Sequence, residues 1–587
     1  MMGALSDSIT ELRTNTRQWE AFTAEGHCAV LAPPGSGKTK LLTTRMAFDL
    51  ANHIPRPHGA ACITLTNAAA EELRRRIDLL GVERRPNLFI GTVHSFAIQR
   101  VIGPFCGLIG RPELSKLSIP SKQQVDRAYS VAINSVIGSR GDTRYVRSTI
   151  EYNRQRLATT EDWAKSGDEI IAVARRYAEI LETNGLHDFL DILAIAVDMV
   201  EQHKVIRQVL TARYPNLYVD EYQDLAPALD RLVRALCFDY AANAELFAVG
   251  DADQAVFAFT GTRPELLDEL AGRSDVTAVH LDHNYRCGNE IIRIANLMRR
   301  GKAPIKGNRL GGAVTATLCP RGFPDQCLRA VEAVKVAAER GVPLHEVVAI
   351  CPTNQQCEQV AAALREHRIP AFVRGSEYRL TPVTSFVEGC AAWATLGREC
   401  SNYRLGSLLR RWRTILAGRW ERSDSVKLTE LLTSYQERSE TAAGELLRDL
   451  LQLGMSAGLD RPELADDRVE VAQMASALES GPLSDHSVHD LAERARKVDR
   501  VEVTTMTSSK GLEFDVVLIL GVDEKWVPHV MSEGDPQKLA EDRRKFYVSI
   551  TRARDEVRIF YSGFVVWASG RISRAGPSRF LREIGLI

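Results

Sequence analysis

No stretch of this 587-residue chain is apolar for long enough to span a bilayer as a helix, and the eleven cysteines never form a Cys-x-x-Cys pair. The first lack leaves no helical membrane anchor to expect. The second removes zinc-ribbon, iron–sulfur and thioredoxin-type chemistry, which need thiolates at short fixed spacings. Scattered cysteines beside apolar residues fit buried thiols in a reducing compartment. Net charge is missing as well: 75 basic residues balance 75 acidic ones, and the pI is about 7.2. With no global polycation field to draw in nucleic acid, any such site must be a local groove. Between Met1 and Thr16 no basic segment precedes an apolar run, so no export signal is read and a cytoplasmic location is expected. What is present, 45 % hydrophobic and 26 % charged residues, is a globular composition. At this length one core does not suffice, and roughly three to five compact units are expected.

The most informative stretch is Leu31-Ala32-Pro33-Pro34-Gly35-Ser36-Gly37-Lys38-Thr39. Cys28-Ala29-Val30-Leu31 predicts a buried strand before the loop. Leu42, Met46 and Leu50 recur at four-residue spacing after it, as on one face of a helix. Strand, glycine-bearing loop and helix in that order make a phosphate cradle. Backbone N–H groups point at an anion, Lys38 supplies charge for the β- and γ-phosphates, and the Thr39 hydroxyl can hold Mg²⁺. Ala32 stands where the pattern has its first glycine. Upstream, the Gln18 amide suits the edge of adenine, or is surface decoration.

Further along, apolar runs end in polar residues, as where open α/β sheets bind ligands. Ala61–Leu65 runs into Thr66 and Asn67, with Asn67 the expected N-cap of a helix that turns Leu73, Ile77 and Leu80 inward. Leu88–Ile90 runs into Gly91-Thr92-Val93-His94-Ser95-Phe96. Leu217-Tyr218-Val219 delivers Asp220 and Glu221, one carboxylate for Mg²⁺ and one to orient and deprotonate a water. Leu246–Gly250 leads to Asp251 and Gln254, then to Phe257 and Phe259, which are either core or a platform for unpaired bases. A second α/β series is expected from Val276, with Asn284-Tyr285-Arg286 at the end of its first strand, further strands at Val347–Ile350 and Ala371–Val373, and inward helix faces at Ile291, Ile294, Ala295, Met298 and at Cys357, Val360, Ala361, Leu364. It resumes at Val501–Thr505 and Val516–Leu520. Near the end, Arg552 and Arg554 close a helix, where they can grip phosphate or complement the helix dipole. Two stretches look mainly helical. In the first, Arg140, Arg144, Arg147, Arg154 and Arg156 are either a solvated face or phosphate contacts. Asp515 with Asp523-Glu524-Lys525 mimics a nuclease set but has no further acidic partner.

The expected fold is α/β, with two RecA-like P-loop domains, each built on a parallel sheet and each interrupted by a mainly helical insertion. The expected segments are 1–100 and 186–275 for the first domain around an insertion at 101–185, and 276–375 and 500–587 for the second around an insertion at 376–499.

In this order the motifs resemble those of superfamily 1A DNA helicases of the UvrD/Rep/PcrA type, from Gln18 to about Tyr561, tightly in the nucleotide-binding halves and poorly in the insertions. The resemblance implies ATP and Mg²⁺ held between two domains: Mg²⁺ by Thr39 and Asp220, and ATP by Gln18, Ala32, Pro33, Pro34, Gly35, Ser36, Gly37, Lys38, Thr39, Lys40, Tyr285, Arg286, Glu513 and Arg552. It implies Lys38, Asp220, Glu221, Gln254, Arg286 and Arg552 as catalytic residues, with Glu221 the base, Gln254 a γ-phosphate sensor, the two arginines fingers from the second domain, and Tyr285 stacked on adenine. It implies single-stranded DNA and duplex junctions as partners, touched by Thr64, Asn67, His94, Phe257 and Phe259, and 3′→5′ movement. Leu65, Thr260 and Thr507 replace the family's motif Ia aromatic, motif III arginine and motif V histidine, and both insertions look short. The other reading kept open is an ATP-dependent DNA clamp, or a subunit of a repair or anti-phage complex, that unwinds little. A small-molecule kinase is disfavoured by the length and by the second arginine-bearing half.

Overall fold

The computed structural model describes residues 2–587 except 84, 121, 139–142, 241, 257–261, 300–302, 375–376, 379, 397–402, 462–463, 482, 496–499 and 568. Phe257, Phe259, Thr260 and Arg140 therefore lie outside the described residues, as does the Asn67 side chain.

Six parallel strands form the first sheet: β1 (His27–Leu31), β2 (Ala60–Thr64), β3 (Phe89–Thr92), β4 (Asn216–Val219), β5 (Glu245–Gly250) and β6 (Val276–His280), in the order β3-β2-β4-β5-β1-β6. Helices cover both faces, so the strands read as continuous apolar runs, and Cys28, Ala29 and Val30 are fully buried. On one face lie α1 (Met2–Arg13), α2 (Thr16–Thr23), α3 (Lys38–Asn52) and α4 (Asn67–Leu79). Leu42, Met46 and Leu50 of α3 pack there with Val30, as their spacing predicts. The cap of α4 differs from expectation: Thr66, not Asn67, is the N-cap, and its hydroxyl accepts the Ala69 N–H at 3.1 Å.

A second correction concerns Val276–His280. Expected to open the second half, it pairs with β1 from His27–Val276 to Leu31–His280 and so ends the first sheet. Alternating apolar residues identify a strand but not the sheet that receives it. Only Leu281 and Asp282 separate it from β7 (His283–Gly288), which forms a ribbon with β8 (Lys306–Arg309).

The second sheet is also wholly parallel. It contains β9 (Ala313–Leu318), β10 (Val347–Cys351), β11 (Ala371–Val373), β12 (Val501–Thr505), β13 (Phe514–Ile519) and β14 (Ala553–Tyr561), in the order β11-β12-β10-β13-β14-β9. Edge strand β9 was not expected. Its residues are exposed or only half-buried, so Ala-Val-Thr-Ala-Thr-Leu lacks the dense apolar signal of β10 or β13. The two sheets are the RecA-like pair of parallel-sheet domains. The ten cysteines among the described residues are all free and buried.

Helical segments interrupt the first sheet between β3 and β4 and the second between β11 and β12. In the first, helices Lys122–Val136, Thr143–Gln155 and Asp168–Thr183 share a core in which Tyr129 stacks on Tyr177 at 4.0 Å. Its described arginines are mostly used internally. Arg147 pairs with Asp126 and Glu151, Arg156 pairs with Asp162, and Arg154 makes two bonds to Asp188 and one to Asp191. All three are thus held by carboxylates of the insertion itself. Because the Arg154 side chain is only 13 % exposed, removing it strands two carboxylates. Arg154→Ala is expected to destabilise this insertion by about 3–5 kcal/mol. Urea unfolding followed by hydrogen exchange of residues 122–183 would measure it.

The second insertion packs around Trp412, which stacks on Phe386 at 5.6 Å, and Tyr435. Beyond β13 of the second sheet, the nuclease-like set dissolves. Asp523 is fully buried and accepts the N–H groups of Ser562 at 2.7 Å and Gly563 at 2.6 Å, and burial pushes its carboxyl up to about 6.

Candidate nucleotide cleft

The loop between β1 and α3 faces the second half of the chain. Gly35 and Gly37 have φ of +68° and +83°, the left-handed region that favours glycine. A Cβ on Gly35 would stand 2.8 Å from the Arg286 Cβ, and one on Gly37 would stand 2.9 Å from Gln18 Nε2. The Lys38 ammonium is buried, finds no hydrogen-bond acceptor among the described residues, and has Glu221 Oε1 at 3.5 Å. A buried cation without an acceptor beside a glycine cradle fits a triphosphate. Gln18 Nε2 donates to Ser36 O at 2.8 Å, and its carbonyl oxygen, which no donor meets among the described residues, could accept from a base. Lys40 does not join this group, since it pairs with Glu11 of α1.

Asp220 and Glu221 follow β4, and Glu221 takes a left-handed backbone, φ +55°. For a residue with a β-carbon this costs roughly 1–2 kcal/mol, strain of the kind that gathers at functional sites. Glu221 Oε2 accepts from Gln223 Nε2 at 2.5 Å, and Gln223 Oε1 accepts the Asp251 N–H at 2.8 Å. Burial and the adjacent Glu221 charge push the Asp220 carboxyl up. Burial acts the same way on Glu221, but Lys38 and Lys510 outweigh it and hold that carboxylate down. The pair thus divides into a strong anion and a carboxyl ready for a cation. Thr39 at the start of α3 and Asp220 are the residues that would hold Mg²⁺.

The second half supplies the opposing cations. Arg552, 2 % exposed, donates from Nε to Val548 O at 3.0 Å, from Nη1 to Leu512 O at 3.3 Å and from Nη2 to Gln254 Oε1 at 3.3 Å. Burial and the nearby Arg286 lower it to about 10, still charged near neutral pH. Gln254 is oriented in turn by Asp251, which accepts its Nε2 at 2.8 Å. Arg286 pairs with Glu513 and reaches Thr551 O at 3.4 Å. Its neighbours hold the loop itself: Tyr285 N donates to Gly35 O at 2.8 Å, and Asn284 Nδ2 donates to Pro34 O at 2.7 Å. Tyr285 is 44 % exposed, and its hydroxyl accepts from Asn15 Nδ2 at 2.7 Å.

Sequence reasoning missed Lys510. It pairs with Asp224, donates to Gln254 O at 2.6 Å and lies 3.9 Å from Glu221 Oε2. Burial raises Asp224 to about 6 against the pull of Lys510. One lysine beside a glycine has no local signature, so only the fold could reveal it.

Of the expected DNA contacts, Thr64 is fully buried, and its hydroxyl finds no hydrogen-bond partner among the described residues. His94 is half-buried, edge-to-face with Phe189 at 4.9 Å. On the second half, sequence reasoning missed a polar cavity of about 310 Å³ where β10, β11 and β12 end. Thr353, Asn354, Arg374, Thr505, Thr507 and Ser508 line it.

Two parallel-sheet lobes closing a phosphate loop, a carboxylate pair and two arginines into one cleft define a two-lobed P-loop nucleoside triphosphatase. The UvrD/REP helicase N-terminal domain family matches residues 14–274, and the UvrD-like helicase C-terminal domain family matches residues 423–563. The chain belongs to the UvrD/Rep/PcrA-type helicases of superfamily 1A. It is 24 % identical to the ATP-dependent DNA helicase PcrA of Staphylococcus epidermidis, over 97 % of this chain and 86 % of that protein. It is 27 % identical to the ATP-dependent DNA helicase UvrD2 of Mycobacterium tuberculosis, over 99 % of this chain and 83 % of that protein.

Proposed function

We propose that the chain is an ATP-dependent DNA helicase that moves 3′→5′ along single-stranded DNA, hydrolysing ATP in the cleft between its two lobes. The observation that carries this is the set of bonds from Lys510 and Arg552 of one lobe to Asp224 and Gln254 of the other, because hydrolysis then depends on closure. ATP would lie along the 32–39 loop, its base between Gln18 and Tyr285. Mg²⁺, held by Thr39 and Asp220, would neutralise charge on the phosphates. Glu221 orients the attacking water and accepts its proton. Arg286 and Arg552 stabilise the charge spread over the transferred group, and Gln254 reports its presence to the segment that follows. Opening after product release shifts one lobe against the other along the DNA.

The cavity at the ends of β10–β12 is the second lobe's seat for the strand, with Arg374 as its cation. Arg374 is fixed by Glu502 and by its own N–H to Val503 O at 2.9 Å. Arg374→Ala is expected to weaken single-stranded DNA binding for all sequences alike and to lower the salt slope by about one, read by fluorescence anisotropy across a salt series.

Strand displacement on 3′-tailed and 5′-tailed duplexes, with ATP hydrolysis followed in the same tubes, tests the whole reading. Unwinding of the 3′-tailed duplex alone supports it. Hydrolysis with no strand separation would indicate a clamp, and hydrolysis indifferent to DNA would remove the motor.

A further inference from the structure

The turn after β5 is gripped from the second lobe at four consecutive residues. Arg299 Nε donates to Asp253 Oδ2 at 2.9 Å, and Lys510 donates to Gln254 O at 2.6 Å. Arg544 Nε donates to Ala255 O at 2.7 Å, and Val256 is fully buried among Cys287, Ile291 and Ile294 of the second lobe's core. Three of these contacts involve backbone or an apolar side chain, or a lysine already placed at the catalytic carboxylates. Arg299 differs. It meets a side chain, follows the helix Asn289–Met298, and belongs to none of the motifs in the ordered series. Both partners are well shielded, 13 % and 17 % exposed, and Arg299 is braced by a bond from Nη1 to Ala303 O at 2.8 Å.

We propose that Arg299 is a positioning residue that couples DNA to hydrolysis by latching Asp253 across the cleft. Asp253 immediately precedes Gln254, whose side chain bonds both Asp251 and Arg552. Phe257 and Phe259, expected against bases, follow Val256 in sequence. A turn fixed at Asp253 and Val256 moves as one piece, so a push on the DNA side is delivered to Gln254 rather than absorbed in the backbone. A shielded ion pair suits this because it is directional and is lost when the lobes part. Hydrolysis without DNA uses the same phosphate loop, carboxylate pair and arginines, which thermal closure brings together.

The inference rests on the motor reading, and the test separates the two. In the full-length parent, ATP turnover is measured with and without saturating oligothymidylate. If DNA does not stimulate the parent, the motor reading fails and the latch falls with it. If it does, Arg299→Ala is expected to leave DNA-free turnover within about twofold and to bring the stimulation ratio close to one, with KM for ATP changed less than about threefold. Arg299→Lys, which keeps the charge, is expected to restore at least half of the ratio. Asp253→Asn should match Arg299→Ala, and the double variant should lose nothing more. A merely structural role would lower Tm and both rates by one factor and leave the ratio intact. That result, or a parent-like ratio in Asp253→Asn, overturns the proposal.

Discussion

Arg552→Ala is expected to slow DNA-stimulated ATP turnover by about 10³-fold while ATP binding changes only a few-fold. The guanidinium is no loose surface group. Bonds to Val548 O, Leu512 O, Gln254 Oε1 and Thr551 Oγ1 fix the plane before any phosphate arrives, so little rotamer freedom is left to lose in the transition state. Lysine should rescue poorly, because a compact ammonium cannot meet acceptors spread around a planar fork. Steady-state phosphate release beside a fluorescent-nucleotide titration separates the two effects. Turnover within threefold of the parent would exclude Arg552 from the transition state.

Glu221→Gln is expected to cost about 10²–10⁴ in turnover and to leave the folded protein intact. The amide keeps the size of the carboxylate and an oxygen for the 2.5 Å contact from Gln223, and the left-handed backbone is unchanged. What it loses is the ability to take a proton from water and the negative charge beside Lys38 and Lys510. The variant should therefore hold ATP and single-stranded DNA together without turning over. Nucleotide retention after rapid dilution, compared with Tm of the parent and variant, measures this. A variant that turns over ATP at the parent rate would leave Glu221 without a role as base.

Where chemistry is contiguous in the chain, it was legible. Lys38 and Thr39 follow a buried strand, and Asp220 and Glu221 end another, so local pattern alone placed them. Arg286 and Arg552 were assigned to the cleft only through the order of motifs, and the structure brings both there: Arg286 beside Gly35, Arg552 onto Gln254. What local pattern could not carry were partnerships between distant residues. The Lys510–Asp224 pair, the capture of Arg154 by Asp188 and Asp191, and the placing of Val276–His280 in the first sheet all depend on which segments meet. Burial was the other blind spot: Thr64 ends a strand as a ligand-binding residue would, yet it is sealed under its neighbours.

The two-residue passage from β6 to β7 limits how far the lobes can drift. With Leu281 and Asp282 fully extended, His280 and His283 stand about 11 Å apart at most, so Asn284, Tyr285 and Arg286 stay within a short radius of the first lobe even when the other cross-lobe bonds have let go. The search for the phosphate loop after each opening is thus confined to a small volume, and the local concentration of the finger stays high from one cycle to the next.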